Sequence, residues 1–128
     1  MGFPSPAADY VEHRISLDEK LISRPSATYF MRAAMTHLRE GICMGALLVV
    51  DSSLSPFDGS LLVCATDGEF SIKRYRIHPQ PHLVNLETGR REEMPYEDEM
   101  TTTPPVFGVI TYIINDARAG GFDDSPAM

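Results

Sequence analysis

The sequence predicts a compact, mostly β domain with one short helix and an extended N-terminal arm, and three observations carry that expectation. Short apolar or alternating runs recur along the chain, at residues 27–33, 46–51, 61–66, 69–77, 82–86 and 106–114, with Pro, Gly and Asn between them. Two of these runs are separated only by Asp67-Gly68, a pair that accepts the positive φ of a tight hairpin turn. Only one segment, residues 16–22, carries helix signals. With 128 residues, the chain suits a single domain.

The elements follow in order. Residues 1–14 read as an extended arm: Pro4 and Pro6 forbid early helix, and Phe3, Tyr10 and Val11 are isolated apolar side chains in need of a docking surface. The segment Ser16-Leu17-Asp18-Glu19-Lys20-Leu21-Ile22 is a short helix, with Ser16 as N-cap, Glu19 three residues on, and Pro25 beyond its end. Thr28, Tyr29 and Phe30 mark a strand over 27–33, and Leu47-Leu48-Val49-Val50 a buried one. Pro56 and Gly59 place a loop at 52–59. In the hairpin, alternation puts Phe70 and Ile72 on one face and Glu69, Ser71 and Lys73 on the other. Its second strand runs on through Arg74-Tyr75-Arg76-Ile77 until Pro79. Residues 82–86 form another strand, 88–93 a turn and charged loop, and 106–114 the longest apolar strand, closed by Asn115. A domain over 15–116 is therefore expected, with residues 117–128 a disordered tail.

Composition narrows the function classes. Acidic residues outnumber basic ones 18 to 11, a net charge of -7, which disfavours direct contact with nucleic acid and suits a protein that meets other proteins. No apolar run approaches the ~18 residues of a membrane span, and no signal-peptide pattern opens the chain, so a cytoplasmic protein is expected. Of the two cysteines, Cys43 and Cys64, the second lies in an apolar strand and reads as core. No Cys-x-x-Cys or Cys/His cluster exists, so neither a metal nor a cofactor is expected. His13, His78 and His82 read as surface residues, and Ser52, Ser53, Ser55 and Ser60 as turn residues. Glu92, Glu93, Glu97, Asp98 and Glu99 read as a solvated acidic loop or a protein-contact surface.

Lys73 is the residue with chemical promise. A lysine on a rigid strand acts as a base when burial keeps it neutral, and it then needs a nucleophile within hydrogen-bond reach. Several separated segments set it in context. Gly2-Phe3-Pro4-Ser5-Pro6-Ala7-Ala8-Asp9-Tyr10-Val11-Glu12, Pro25-Ser26-Ala27-Thr28-Tyr29-Phe30, Leu47-Leu48-Val49-Val50-Asp51-Ser52, Asp67-Gly68-Glu69-Phe70-Ser71-Ile72-Lys73-Arg74 and Phe107-Gly108-Val109 occur in that order. Together they resemble the LexA/UmuD family of self-cleaving serine peptidases over roughly residues 2–115.

The resemblance implies the LexA-like C-terminal peptidase fold, and it puts Lys73 at the position of the family's general base. The family's nucleophile is a serine in a small-Gly-Asp-Ser-Met turn. Here the corresponding stretch, Ala33-Ala34-Met35-Thr36-His37-Leu38-Arg39-Glu40-Gly41, is one residue shorter. With the gap after the nucleophile, His37 takes the serine position, Leu38 matches the family's methionine, and Glu40-Gly41 matches its Asp-Gly. With the gap before it, Thr36 takes the serine position. The first placement is preferred. Imidazole offers no hydroxyl to acylate, and threonine's β-branch crowds the attack. The segment has lost Gly and Asp residues that the family turn uses and carries Met35, Leu38 and Met44, so the sequence leaves open whether residues 34–46 are ordered as in the family.

Met1 stands directly before Gly2-Phe3-Pro4, where the family's processed form begins. The resemblance thus implies a processed-form, proteolytically inactive accessory subunit of an error-prone translesion polymerase of the DNA polymerase V type, in the SOS response to DNA damage. Its implied partners are a second copy of the chain and a Y-family polymerase subunit, with a RecA filament a further candidate. Two alternatives stay open: a Ser/Lys-type peptidase with an unusual nucleophile, and a degenerate regulator that pairs with active homologues.

The codons of Met35-Thr36-His37 are ATG-ACN-CAY. Read two nucleotides later they give Asp and, where N is T, Ser. The hypothesis that compensating frameshifts produced residues near 35–41 predicts the triplet TCA across the Thr36 and His37 codons. A nucleotide sequence without it rules the hypothesis out.

Overall fold

The computed structural model describes residues 14–66, 68–94 and 105–119. The expected arm before Arg14 lies outside the described residues, as do Asp67, residues 97–99 of the expected acidic loop and residues 120–128 of the expected tail.

Local sequence produces most of the elements. Ser16 caps the helix α1 (Leu17–Leu21) by accepting a hydrogen bond from the Glu19 amide at 3.5 Å, and Ile22 and the Pro25–Ala27 3-10 turn end it. Among the described residues seven strands follow: β1 (Thr28–Arg32), β2 (Leu47–Asp51), β3 (Leu61–Thr66), β4 (Glu69–Arg76), β5 (His82–Asn85), β6 (Arg91–Glu93) and β7 (Val106–Ile114). The pairing Thr66↔Glu69 leaves a two-residue connection between β3 and β4, and Gly68 in it has φ +79°.

All pairings are antiparallel, in one sheet ordered β1-β2-β7-β3-β4-β5-β6. The last strand is therefore inserted between β2 and β3. Alternation along β3 splits the apolar side chains between the two faces. Leu61 and Val63 join a cluster with Ala33, Ile42, Leu48 and Val50, while Leu62 and Cys64 join one with Leu83 and Val109. On β4 the same alternation gives Ile72 to the first cluster and Tyr75 to the second. Phe107 joins β1 to β4 through edge-to-face contacts with Tyr29 (4.9 Å) and Phe70 (5.4 Å).

Three sequence expectations change. The charged loop over 88–93 contains β6, which pairs with β5 through Leu83↔Glu92; a three-residue strand at the sheet edge tolerates charge because one side of it faces solvent. His82 is buried rather than on the surface, and its Nδ1 lies 2.7 Å from the Gln80 carbonyl. Residues 34–46, whose order the sequence leaves open, form a closed turn held by backbone and side-chain hydrogen bonds, while Met35, Leu38 and Met44 stay exposed. The expected tail opens with a 3-10 turn, Ala117–Ala119. Among the described residues, no helix is long and apolar enough to cross a membrane.

Gly108 lies on β7 beside the register irregularity of the β3–β7 pairing and packs against the end of β2. A Cβ there would lie 2.8 Å from Val50 Cγ1 and 3.0 Å from the Asp51 carbonyl oxygen. Gly108→Ala is expected to destabilise the fold by about 1–3 kcal/mol, the usual effect of overpacking. A denaturant midpoint equal to that of the parent chain would show that β2 and β7 separate more easily than their packing implies.

Candidate functional site

The turn between β1 and β2 is built from its backbone outward. Ala33 N–H donates to Ala46 O at 2.9 Å and Gly45 N–H to Ala33 O at 2.8 Å, closing its base. At its tip His37 and Ile42 exchange both backbone hydrogen bonds, His37 N–H to Ile42 O at 2.8 Å and Ile42 N–H to His37 O at 3.1 Å. Between them the Leu38–Glu40 3-10 turn ends at Gly41, whose φ of +74° suits glycine. Ile42 anchors the tip with no exposed surface.

Asn115, just past β7, clamps the same turn from the far end of the chain. Its side-chain oxygen accepts from Cys43 N–H at 3.0 Å, and its amide donates to Gly41 O at 2.8 Å. Glu40 reaches Arg74 of β4 at 3.4 Å, and Arg74 also donates to Gly59 O at 2.8 Å, so the turn is tied to the strand that carries Lys73.

His37 and Lys73 line one groove of about 520 Å³, whose walls include Phe30, Met31, Phe70 and Ile72. Thr36 is not among its lining residues. It borders an adjoining depression that His37 also lines, and its hydroxyl accepts from Met44 N–H at 3.0 Å, which makes it a brace of the turn. The structure thus brings the preferred position, His37, to the same groove as Lys73 and leaves the alternative, Thr36, outside it.

The Lys73 amine is engaged elsewhere. Lys73 pairs with Leu62 and Asn85 across the sheet, and its side chain is only 17% exposed. Its Nζ lies 3.0 Å from Glu92 Oε1 and 3.2 Å from Oε2. Asn85 Nδ2 donates to the same carboxylate at 3.3 Å. The Lys73 hydrogen bond holds the Glu92 carboxyl below its ordinary range, against burial, with Asn85 and the charges of Lys73 and Arg90 adding to the effect.

Asn85 also builds the turn that delivers Glu92. Its side-chain oxygen accepts from the Glu87 and Thr88 amides at 2.9 and 3.0 Å, and its backbone N–H donates to Arg90 O at 2.9 Å. Nearby Cys64 is no substitute nucleophile. It is 3% exposed, and burial pushes its thiol up to about 11 despite the positive charge of Lys73. Among the described residues, no three His, Cys, Asp or Glu side chains gather into a metal-ligand set.

The sequence did not single out Glu92 or Asn85 for the site. Asn85 carried a signal, an Asn opening a Thr-Gly turn at the end of a strand. Glu92 carried none, because a run of charged residues looks solvated until its strand partner is known. Asn115 was read only as the end of a strand.

Known proteins share this chain's sequence over most of its length. The model of the Peptidase S24-like family matches residues 1–104. The chain is 37% identical over 118 residues to protein ImpA of Salmonella typhimurium, covering 91% of this chain and 79% of ImpA. It is 38% identical over 119 residues to protein SamA of Salmonella typhimurium strain LT2, covering 92% and 81%. It is 36% identical over 114 residues to protein MucA of Escherichia coli, covering 87% and 75%. The three are UmuD homologues.

Asn115→Ala leaves a buried N–H and a carbonyl without partners and should cost about 1–3 kcal/mol. Amide exchange at Cys43 should accelerate with it, and an unchanged Cys43 rate would show that the clamp is dispensable.

Proposed function

This chain belongs to the Peptidase S24-like family, and we propose that within it the protein serves as a non-proteolytic accessory subunit in SOS mutagenesis. It acts there as a processed UmuD-type chain does, as a dimer joined to a Y-family polymerase subunit in an error-prone polymerase of the DNA polymerase V type.

The observation that carries the proposal is the pairing found in the groove. Acyl transfer by a Ser/Lys site needs a hydroxyl beside an amine that is free to take its proton. The groove offers an imidazole at His37 and an amine already held by a carboxylate at Lys73. Binding is well served by contrast. Phe30, Met35 and Phe70 on the groove's walls are each about half exposed, an apolar surface of the kind that partners cover. A net charge of -7 suits reaching DNA through a partner.

Co-expression with a Y-family polymerase subunit tests the proposal. The two should co-purify, and Lys73→Ala should leave that association unchanged. An uncleaved UmuD-type homologue should remain intact on incubation with this chain. Cleavage of the homologue that disappears in Lys73→Ala, with no retained polymerase, would replace the proposal with a peptidase that uses an unusual nucleophile.

A further inference from the structure

We propose that Glu92 is a lock on the Lys73 amine, a second block on catalysis that acts whatever side chain stands at position 37. The inference rests on reading Lys73 as the family's base position. Its central observation, the Lys73–Glu92 pair, does not depend on that reading.

The geometry supports a lock rather than an incidental surface pair. Both carboxylate oxygens lie within hydrogen-bond distance of Nζ, at 3.0 and 3.2 Å. The lysine side chain is largely covered, so water competes poorly for its protons. The carboxylate is held from a second side by Asn85 Nδ2, and Asn85 is itself fixed by the turn that precedes β6. The pairings Lys73↔Asn85 and Leu83↔Glu92 set the two charges on strands of one sheet that flank β5, so strand register rather than side-chain chance brings them together.

The groups facing the carboxylate leave it ionised. Lys73 on β4 and Arg90 before β6 are cationic, Asn85 on β5 is a neutral donor, and Cys64 on β3 is a protonated thiol. The Glu92 carboxyl lies below its ordinary range. The pair therefore contributes stability above the ordinary carboxylate range and loses it as pH falls through the lowered value, which leaves the lock closed at neutral pH. A base must present its nitrogen lone pair to a hydroxyl. Lys73 instead directs its N–H donors at a carboxylate about 3 Å away.

The test compares the parent chain with Glu92→Gln, Glu92→Asp, His37→Ser and the double variant H37S/E92Q, each shown to be folded by thermal unfolding. The first readout is acylation of the Lys73 amine by an N-hydroxysuccinimide acetate at neutral pH, quantified by peptide mass spectrometry against exposed Lys20. Glu92→Gln should raise the Lys73/Lys20 ratio on the order of tenfold, the effect of losing one charge-assisted contact. Glu92→Asp, which keeps the charge but withdraws it by one methylene, should fall between the two. A ratio unchanged in Glu92→Gln overturns the lock.

The second readout is cleavage of an uncleaved homologue. H37S/E92Q should cut it, and His37→Ser alone should be slower by about the same factor. Equal rates overturn the lock. Faster labelling in Glu92→Gln with no cleavage by either serine variant upholds the lock and instead overturns the base-position reading of Lys73.

Discussion

The insertion of β7 between β2 and β3 is the constraint on which the rest of the molecule depends. The last strand must find two partners that were made long before it, and both apolar clusters include side chains from it: Phe107, Ile110 and Ile113 in the first, Val106 and Val109 in the second. Without β7 the sheet divides into a β1–β2 pair and a β3–β6 meander, each with uncovered edges. Gly108 is the point where this insertion is tightest, because only a residue without Cβ lets β7 lie against Val50 and Asp51. Such distant pairing carries a loop-closure cost that local hairpins avoid, so β3–β4 is the natural early element and β7 the late one.

The candidate site inherits this dependence. The turn that carries His37 closes its own base by short backbone hydrogen bonds, yet its tip is held by Ile42 in the first cluster and by Asn115 at the end of β7. A scaffold fixed in this way tolerates replacement of the side chains displayed on it. Met35, Thr36 and His37 can stand where a catalytic turn is expected because the carbonyls and amides beneath them keep their partners. The fold of an S24-like peptidase is thus fixed by interactions that do not involve the side chains displayed on this turn.

Electrostatics separates them further. A lysine serves as a base where its surroundings oppose its charge. Around Lys73 the opposite holds: a carboxylate lies within 3.0 Å and an asparagine orients that carboxylate. Among the described ion pairs this one is the least like a surface contact on the cationic side, since the Lys73 side chain is 17% exposed against 46% for Arg76 and 91% for Arg118 in theirs. A pair of this kind favours a structural role for the residue that the sequence marks as catalytic.

The sequence by itself determined the element types, because those arise from local physics. The apolar run at 61–66, period-two alternation at 69–73, the Ser16 cap and the apolar run at 106–114 each act over a few residues, and most of the described strands and the described helix arise from such signals. It also determined the family, because several separated motifs in one order are specific where any one is not. The tertiary structure alone decided what those elements do to one another. Glu92 meets Lys73 across 19 residues, and Asn115 meets Gly41 and Cys43 across 74 and 72. No periodicity reports such pairs. A charged run reads as solvated, and His82 as exposed, until strand register supplies the neighbours that cover them. Burial and charge pairing are properties of three-dimensional adjacency, and here that adjacency makes Lys73, the residue singled out by the resemblance, one half of an ion pair.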